Sequence, residues 1–259
     1  MTTSRHAASR AWISTGSVAA IFLSWFLLTK LRLVGPSYLP SPQALFTAFR
    51  DLVLHGYMGV PLWQHIGISL FRALSGFCLG VAVGIPTGLL TGYVATADAI
   101  VSPVMAFLRP IPPIAFIPMV VLYFGLGETG KVVLIFITAF NYAHVNAHSG
   151  ATHVSIAYLR AAKTLGLSPG QIFRKIVFPA ALPSIFTGLK VAMALSWAVV
   201  VAAELVGAQK GLGFMISNAA QLFQIPVVFI GIALIGLIGL ALNVMLGLAE
   251  TYVVHWKGR

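Results

Sequence analysis

Acidic residues are nearly missing from this chain. Five Asp and Glu occur in 259 residues, and they form no paired carboxylates and no His-Glu-x-x-His. No Ser/His pair stands in for them, so an intramembrane enzyme has no sequence support. Charge of either sign is scarce, at 8% against about 25% in soluble domains. The single cysteine, Cys78, excludes an intrachain disulfide. What is abundant is apolar surface. At 59% hydrophobic, the excess cannot be hidden inside one soluble domain of this size. A polytopic membrane protein is the class that remains. The net charge of +11 is scattered between apolar blocks without aromatic interleaving. It reads as loop charge that sets membrane topology, not as a nucleic-acid surface.

Six apolar blocks follow, at residues 11–28, 66–93, 97–124, 132–151, 184–206 and 226–248. About 20 apolar residues span a bilayer as a helix, so the expected fold is an all-α bundle of six transmembrane helices. Arg5 and Arg10 before the first block imitate a signal peptide. The block exceeds the usual ~7–15-residue core and lacks a small-residue cleavage site before Lys30 and Arg32, so it reads as an uncleaved span. Residues 33–63 are a Pro- and Gly-rich connection. Within it Ser41-Pro42 starts an amphipathic helix over 43–54 that places Leu45, Phe46, Phe49 and Val53 on one face, read as lying on the membrane surface.

Several features interrupt the spans. Gly76, Gly80, Gly84, Gly88 and Gly92 recur every fourth residue of the second block. Each step rotates roughly 40° around a helix, so the row winds as a groove that lets another helix approach closely in lipid. Arg72 extends that row, either as a snorkelling or ion-paired residue or as a charge near the pathway. The third block is broken by Arg109-Pro110-Ile111-Pro112-Pro113. Broken backbone in a membrane must line a cavity or be buried in protein, which leaves Arg109 open to structural pairing or a pathway role. Glu204, near the outer end of the fifth block, is a further intramembrane charge. Residues 207–225, with Gly211-Leu-Gly213 and Asn218, read as a re-entrant or surface segment.

Two motifs mislead. Gly125 to Lys131 matches both G-x-x-x-x-G-K and, through Gly125, Gly127 and Gly130, G-x-G-x-x-G. Val132 occupies the position of the Mg²⁺-holding Ser/Thr and no strand precedes the glycines, so no ATP site is read here. His144 and His148 are spaced i, i+4, but two histidines without a nearby carboxylate read as a wet helix end, and no metal site is assigned.

The segment 153–183 breaks the apolar character of the second half. It carries Arg160, Lys163, Arg174 and Lys175. A helix is expected over 156–165, ended by Gly166. Ser168, Pro169 and Gln171 form the capping box of a second helix, with Ile172, Phe173, Ile176 and Val177 on its apolar face, and Pro179 is expected to stop it. Such a helix–turn–helix reads either as an ordinary charged cytoplasmic loop or as a docking element for a soluble partner.

The same residues resemble the signature loop of bacterial ABC importer permeases: Glu-Ala-Ala, three residues, Gly, nine residues, Ile-x-Leu-Pro. Here Arg160-Ala161-Ala162, Gly166 and Ile176-Val177-Phe178-Pro179 keep every spacing. Arg160 replaces the Glu and Phe178 the Leu, a variant similar to the taurine, aliphatic-sulfonate and nitrate branch. The resemblance runs from about Trp63 to the C-terminus and includes Gly211-Leu-Gly-Phe214; the C-terminal segment looks most like the taurine type. It implies a type I, MetI-like permease fold in a bacterial inner membrane. Residues 1–62 would form a first helix and outer connection, and 63–259 a five-helix core. It also implies a homodimer, two cytoplasmic ATPase subunits holding ATP and Mg²⁺, an extracytoplasmic solute-binding protein, and no cofactor in this chain. Arg160, Ala161, Ala162, Lys163, Gly166, Ile176 and Pro179 would form the ATPase-coupling loop.

Orientation follows the positive charges. With the N-terminus inside, inner segments hold Arg5, Arg10, Arg160, Lys163, Arg174, Lys175, Lys257 and Arg259; outer segments hold Lys30, Arg32, Arg50, Lys131 and Lys210. The competing function is an ATPase-independent secondary transporter or channel. The scarcity of intramembrane Asp and Glu for ion coupling weighs against it.

Overall fold

The computed structural model describes residues 2–256, with side chains described from Thr15 onward except Val18. Lys257, Arg259 and the side chains of Arg5 and Arg10, all counted for orientation, lie outside the described residues. The chain is built from helices α1 (Thr2–Lys30), α2 (Pro42–His55), α3 (Leu62–Tyr93), α4 (Ala95–Leu108), α5 (Ile117–Phe124), α6 (Glu128–Thr152), α7 (Ile156–Thr164), α8 (Pro169–Ile172), α9 (Phe178–Leu205), α10 (Leu212–Gln221) and α11 (Ile225–Val253). Two compact units result, one comprising Met1–Leu62 with Met215–Ile232, the other Trp63–Phe214 with Ala233–Arg259.

In the first unit, the Ser41 hydroxyl caps α2 by accepting from Ala44 N–H at 3.2 Å. The face expected from the sequence divides. Leu45, Ala48 and Leu52 turn inward at spacings of three and four, while Phe46, Phe49 and Val53 stay exposed. The Tyr57 hydroxyl donates to Asn218 Oδ1 at 2.8 Å, and Trp25 Nε1–H donates to the Pro40 carbonyl at 3.1 Å. These bonds close the connection around its prolines.

The second unit is organised by α6, which lies between α3 and α9. The glycine row of α3 meets α6 along its whole length. A Cβ at Gly76 would stand 2.6 Å from Ile135 Cβ, one at Gly80 2.7 Å from Ala139 Cβ, one at Gly84 2.8 Å from the Phe140 carbonyl, and one at Gly92 2.6 Å from the His148 carbonyl. Ala139, Ala143, Ala147 and Ala151 answer the row from α6 at the same four-residue interval, all buried. Small residues on both helices bring backbone against backbone, which is how dispersion holds helices together where lipid removes the hydrophobic drive. On an adjoining face, Gly150 of α6 lies against Ala181 and Ser184 of α9, and Gly188 of α9 against Asn146. Trp197 Nε1–H donates to the Ile235 carbonyl at 3.0 Å, tying α9 to α11.

The proline-rich third block is broken as expected. α4 ends at Leu108, a 3₁₀ turn covers Pro113–Phe116, and the two arms meet at 84°. By contrast, Pro179 does not stop a helix. α8 runs through a π-turn, Phe173–Val177, directly into α9, so that Pro169–Leu205 is one run of 37 residues. Proline removes a backbone donor and its ring crowds a carbonyl in the preceding turn. The widened π-turn immediately before Pro179 is the kind of adjustment that absorbs both effects.

Among the described residues, three helical runs are long and apolar enough to cross a membrane: Leu62–Tyr93, Pro169–Leu205 and Ile225–Val253. The bent pair of α4 and α5 makes a fourth crossing if it counts as one span. α6 has 25 residues, about 37 Å at 1.5 Å each, but Asn141, His144, Asn146 and His148 dilute its apolar character. The apolar part of α1, Thr15–Lys30, is shorter than the other spans.

Candidate functional site

The segment between α6 and α9 projects from one end of the second unit. α7 ends in a Schellman cap: Leu167 N–H donates to the Ala162 carbonyl at 3.1 Å and Gly166 N–H to the Lys163 carbonyl at 2.9 Å. Gly166 has φ +74°, a conformation that disfavours any side chain. The Ser168–Gln171 capping box forms in both directions, Ser168 N–H to Gln171 Oε1 at 2.9 Å and Gln171 N–H to Ser168 Oγ at 3.4 Å.

This hairpin is anchored by its small and branched residues. Ala162, Ile172 and Val177 are buried in one cluster with Leu89 of α3, Ala147 and Ala151 of α6, and Ala181 and Ile185 of α9. The Tyr93 hydroxyl donates to the Pro169 carbonyl at 2.8 Å, and its ring lies 5.3 Å from that of Phe173. Any displacement of the hairpin is therefore felt by three long helices at once. Its outer face carries Arg160, Ala161, Lys163, Gly166, Arg174 and Lys175, all exposed, while Ile176 and Pro179 are half-buried. Ile156, Tyr158 and Leu165 are exposed beside them, at 64%, 66% and 78%. An apolar patch rimmed by cations marks a surface that a protein partner can cover. Sequence reasoning singled out the cations and missed Tyr158 and Leu165, because helical position alone did not say which flank faced outward.

At the opposite end of α6 lies a buried ionic cluster. Arg72 of α3 grips Glu128 with both arms of its guanidinium, Nε to Oε2 at 2.6 Å and Nη2 to Oε1 at 2.5 Å. Its Nη1 donates to Glu204 Oε1 at 2.7 Å and to the Lys210 carbonyl at 2.8 Å. Glu204, with no exposed side-chain surface, also accepts from Ser69 Oγ–H at 2.7 Å and Gly213 N–H at 2.8 Å. Ser69 Oγ in turn accepts from Leu212 N–H at 2.9 Å, and His65 Nδ1 from Gly211 N–H at 3.1 Å. The glycines of Gly211-Leu-Gly213 admit this carboxylate: a Cβ at Gly213 would stand 2.8 Å from Glu204 Cβ. Two side chains singled out separately, Arg72 and Glu204, are thus partners, and the segment after α9 is moored to them. Ser69, Glu128 and Lys131 were not read as members. Their only signal was polarity beside a span.

Arg109 is not brought into this cluster. It is exposed at the C-terminus of α4 and forms no ion pair among the described residues. The glycine motif at 125–131 forms a turn: Gly125, at φ +70°, ends α5, and Lys131 Nζ donates to the Leu126 carbonyl at 2.9 Å. His144 and His148 stack with centroids 6.3 Å apart. Each bonds a threonine of α3, Thr87 at 3.2 Å and Thr91 at 3.1 Å. Asp98 comes within 3.8 Å of His148, and no group of three metal-ligating side chains occurs among the described residues. A further ion pair, Lys190 with Glu250, joins α9 to α11; both are isolated charges in apolar runs, and that isolation was the signal available.

Comparison with known proteins gives one answer. Residues 80–256 match the family described as binding-protein-dependent transport system inner membrane component. The taurine transport system permease protein TauC of Escherichia coli is 35% identical over 95% of this chain and 90% of its own length. A putative aliphatic sulfonates transport permease protein SsuC of Bacillus subtilis is 32% identical over 92% of this chain and 85% of its own. In structure, an inward-facing MetNI methionine ABC transporter chain superposes with a TM-score of 0.61 at 18% identity, covering 82% of this chain and 99% of that one, which establishes the fold. The chain belongs to the family of binding-protein-dependent transport system inner membrane components, the membrane-embedded permease subunits of ABC importers.

Proposed function

We propose that this permease carries a small anionic or zwitterionic solute, taurine or a related sulfonate foremost, with nitrate as the neighbouring choice. The relatives named for taurine and sulfonate transport support that class, as does the guanidinium of Arg72 with Lys131 and Lys210 beside it at one end of the second unit. The permease core spans 63–259. The hairpin within 153–183 receives a separate cytoplasmic ATPase, which holds the ATP and Mg²⁺, this chain supplying no ATP site of its own. Arg160, Ala161, Ala162, Lys163 and Gly166 face that partner, and Ile176 and Pro179 pass its movement into α9. Two copies of the chain form the pathway, and an extracytoplasmic binding protein delivers the solute. The chain crosses the membrane six times with both ends inside. The hairpin is then cytoplasmic and the Arg72 cluster lies toward the outside, one α6 length away.

The observation that carries this reading is the anchored hairpin. Its buried residues join three long helices while its basic and apolar outer face has no cover among the described residues. The test is uptake of labelled taurine, methanesulfonate and nitrate by proteoliposomes of the complete complex. ATP-dependent uptake of one of them, competed by its congeners, is the expected result. Uptake of none would overturn the substrate class.

A further inference from the structure

Beside the buried cluster lies an open cavity of about 610 Å³, lined among others by Arg72, Glu128, Lys131, Gln209 and Lys210. Its charged lining is three cations and one carboxylate. Glu204 balances Arg72 from behind, fully buried. Glu128 is different. Its side chain is 58% exposed, yet its two oxygens occupy the Arg72 fork, and one of them lies 3.5 Å from Lys131 Nζ. The Lys210 ammonium is exposed and has no acidic partner among the described residues. The cavity thus presents a planar bidentate donor, two ammonium groups and an amide around one exposed carboxylate. A guanidinium fork is the donor geometry that matches the oxygens of a carboxylate or of another oxyanion.

We propose that this cavity is an anion-binding subsite, and that Glu128 is its built-in stand-in ligand. A small monovalent oxyanion such as a sulfonate or nitrate displaces the Glu128 carboxylate from Arg72 and is held between that fork, Lys131 and Lys210. The displacement exchanges one charge-assisted pair for another, so the bound anion is held loosely, as a solute in transit must be. Glu204 keeps Arg72 in place throughout, because its bonds to Ser69 and Gly213 do not involve the cavity. This assignment rests on the anionic substrate class proposed above.

Binding of ¹⁴C-methanesulfonate to the detergent-purified permease–ATPase complex, without binding protein, tests it. Glu128→Gln removes the competing charge and keeps the shape, so affinity should rise by up to about fivefold, the scale of one screened ion pair. Lys210→Gln, an exposed change that spares the fold, should weaken binding about fivefold, and unlabelled nitrate should compete while glycerol does not. A merely structural Glu128 would give unchanged or weaker binding in Glu128→Gln, and that result overturns the proposal. So does the absence of binding to both wild type and Glu128→Gln. Retention of the ATPase is scored in the same preparations, and uptake of a non-anionic solute in proteoliposomes of the complete complex with its binding protein. A complex that stays intact but binds no anion rejects the subsite alone, whereas loss of the ATPase or uptake of a different class of solute rejects the functional reading.

Discussion

Replacing Arg72 by methionine isolates what the ionic cluster contributes. The change removes two bonds to Glu128, one to Glu204 and one to the Lys210 carbonyl. The Glu128 share is small, because that carboxylate is 58% exposed and screened pairs contribute about 0–1 kcal/mol. The Glu204 share is large. Its carboxylate stays fully buried and loses its cation while keeping Ser69 and Gly213, and stripping one partner from a buried pair costs about 3–5 kcal/mol. Arg72→Met should therefore lower the melting temperature of the purified permease by roughly 6–20 °C, taking about 2–4 °C per kcal/mol for a chain of this size. Adding Glu204→Gln should recover much of the loss, since the amide oxygen still accepts from Gly213 N–H while the unpaired charge is gone. Glu128→Gln alone should cost about 1 kcal/mol or less. Fluorescence melting in detergent of wild type, Arg72→Met, Glu204→Gln and their double mutant forms a double-mutant cycle, with Glu128→Gln melted beside it. A double mutant no more stable than Arg72→Met, or an Arg72→Met protein melting with wild type, would refute the claim that the buried pair holds the segment after α9 to α3.

Other changes probe the packing and the hairpin. Gly80→Leu should prevent accumulation of folded protein, because even a Cβ there stands 2.7 Å from Ala139 Cβ and from the Phe140 backbone nitrogen; normal yield on size exclusion would contradict close backbone packing of α3 on α6. A Cβ at Gly166 meets no neighbour within 4 Å, so the main penalty of Gly166→Val is the left-handed backbone, about 1–2 kcal/mol. Folded permease should then be recovered with weakened ATPase retention, and full retention with normal stimulated hydrolysis would reject Gly166 as a hinge. Arg109→Ala, at an exposed position without an ion pair among the described residues, should leave abundance unchanged and reduce uptake; normal uptake at normal abundance would limit Arg109 to a surface role. For topology, Gly56→Cys in a Cys78→Ala background should be labelled by an impermeant thiol reagent on intact cells, and Gly170→Cys should not.

Much of the fold was legible because membrane helices announce themselves by length and apolarity, and glycine by spacing. The α3 row predicted a close helix partner, and α6 supplies it with matching alanines. The hairpin caps were legible for the same reason: Ser168, Gln171 and Gly166 act through local backbone geometry. Pro179 was misjudged because the rule that proline ends a helix is local, whereas the π-turn before it and the packing of α9 are not. The polar cluster was half legible. Arg72 and Glu204 stood out as charges in apolar runs, but their pairing across 132 positions is tertiary. Glu128 hid inside a glycine-rich turn that imitated a nucleotide motif.

The central claim is that this permease is driven through the 153–183 hairpin by a separate ATPase. The most direct measurement is site-specific crosslinking of Tyr158→Cys, in a Cys78→Ala background, to the co-expressed ATPase subunit, with hydrolysis and uptake followed in the same proteoliposomes. The account predicts a crosslink that forms only with the ATPase on the cytoplasmic side, and that abolishes uptake while it persists and restores it on reduction. A permease that is never crosslinked there, or that transports at full rate without the ATPase, would contradict it.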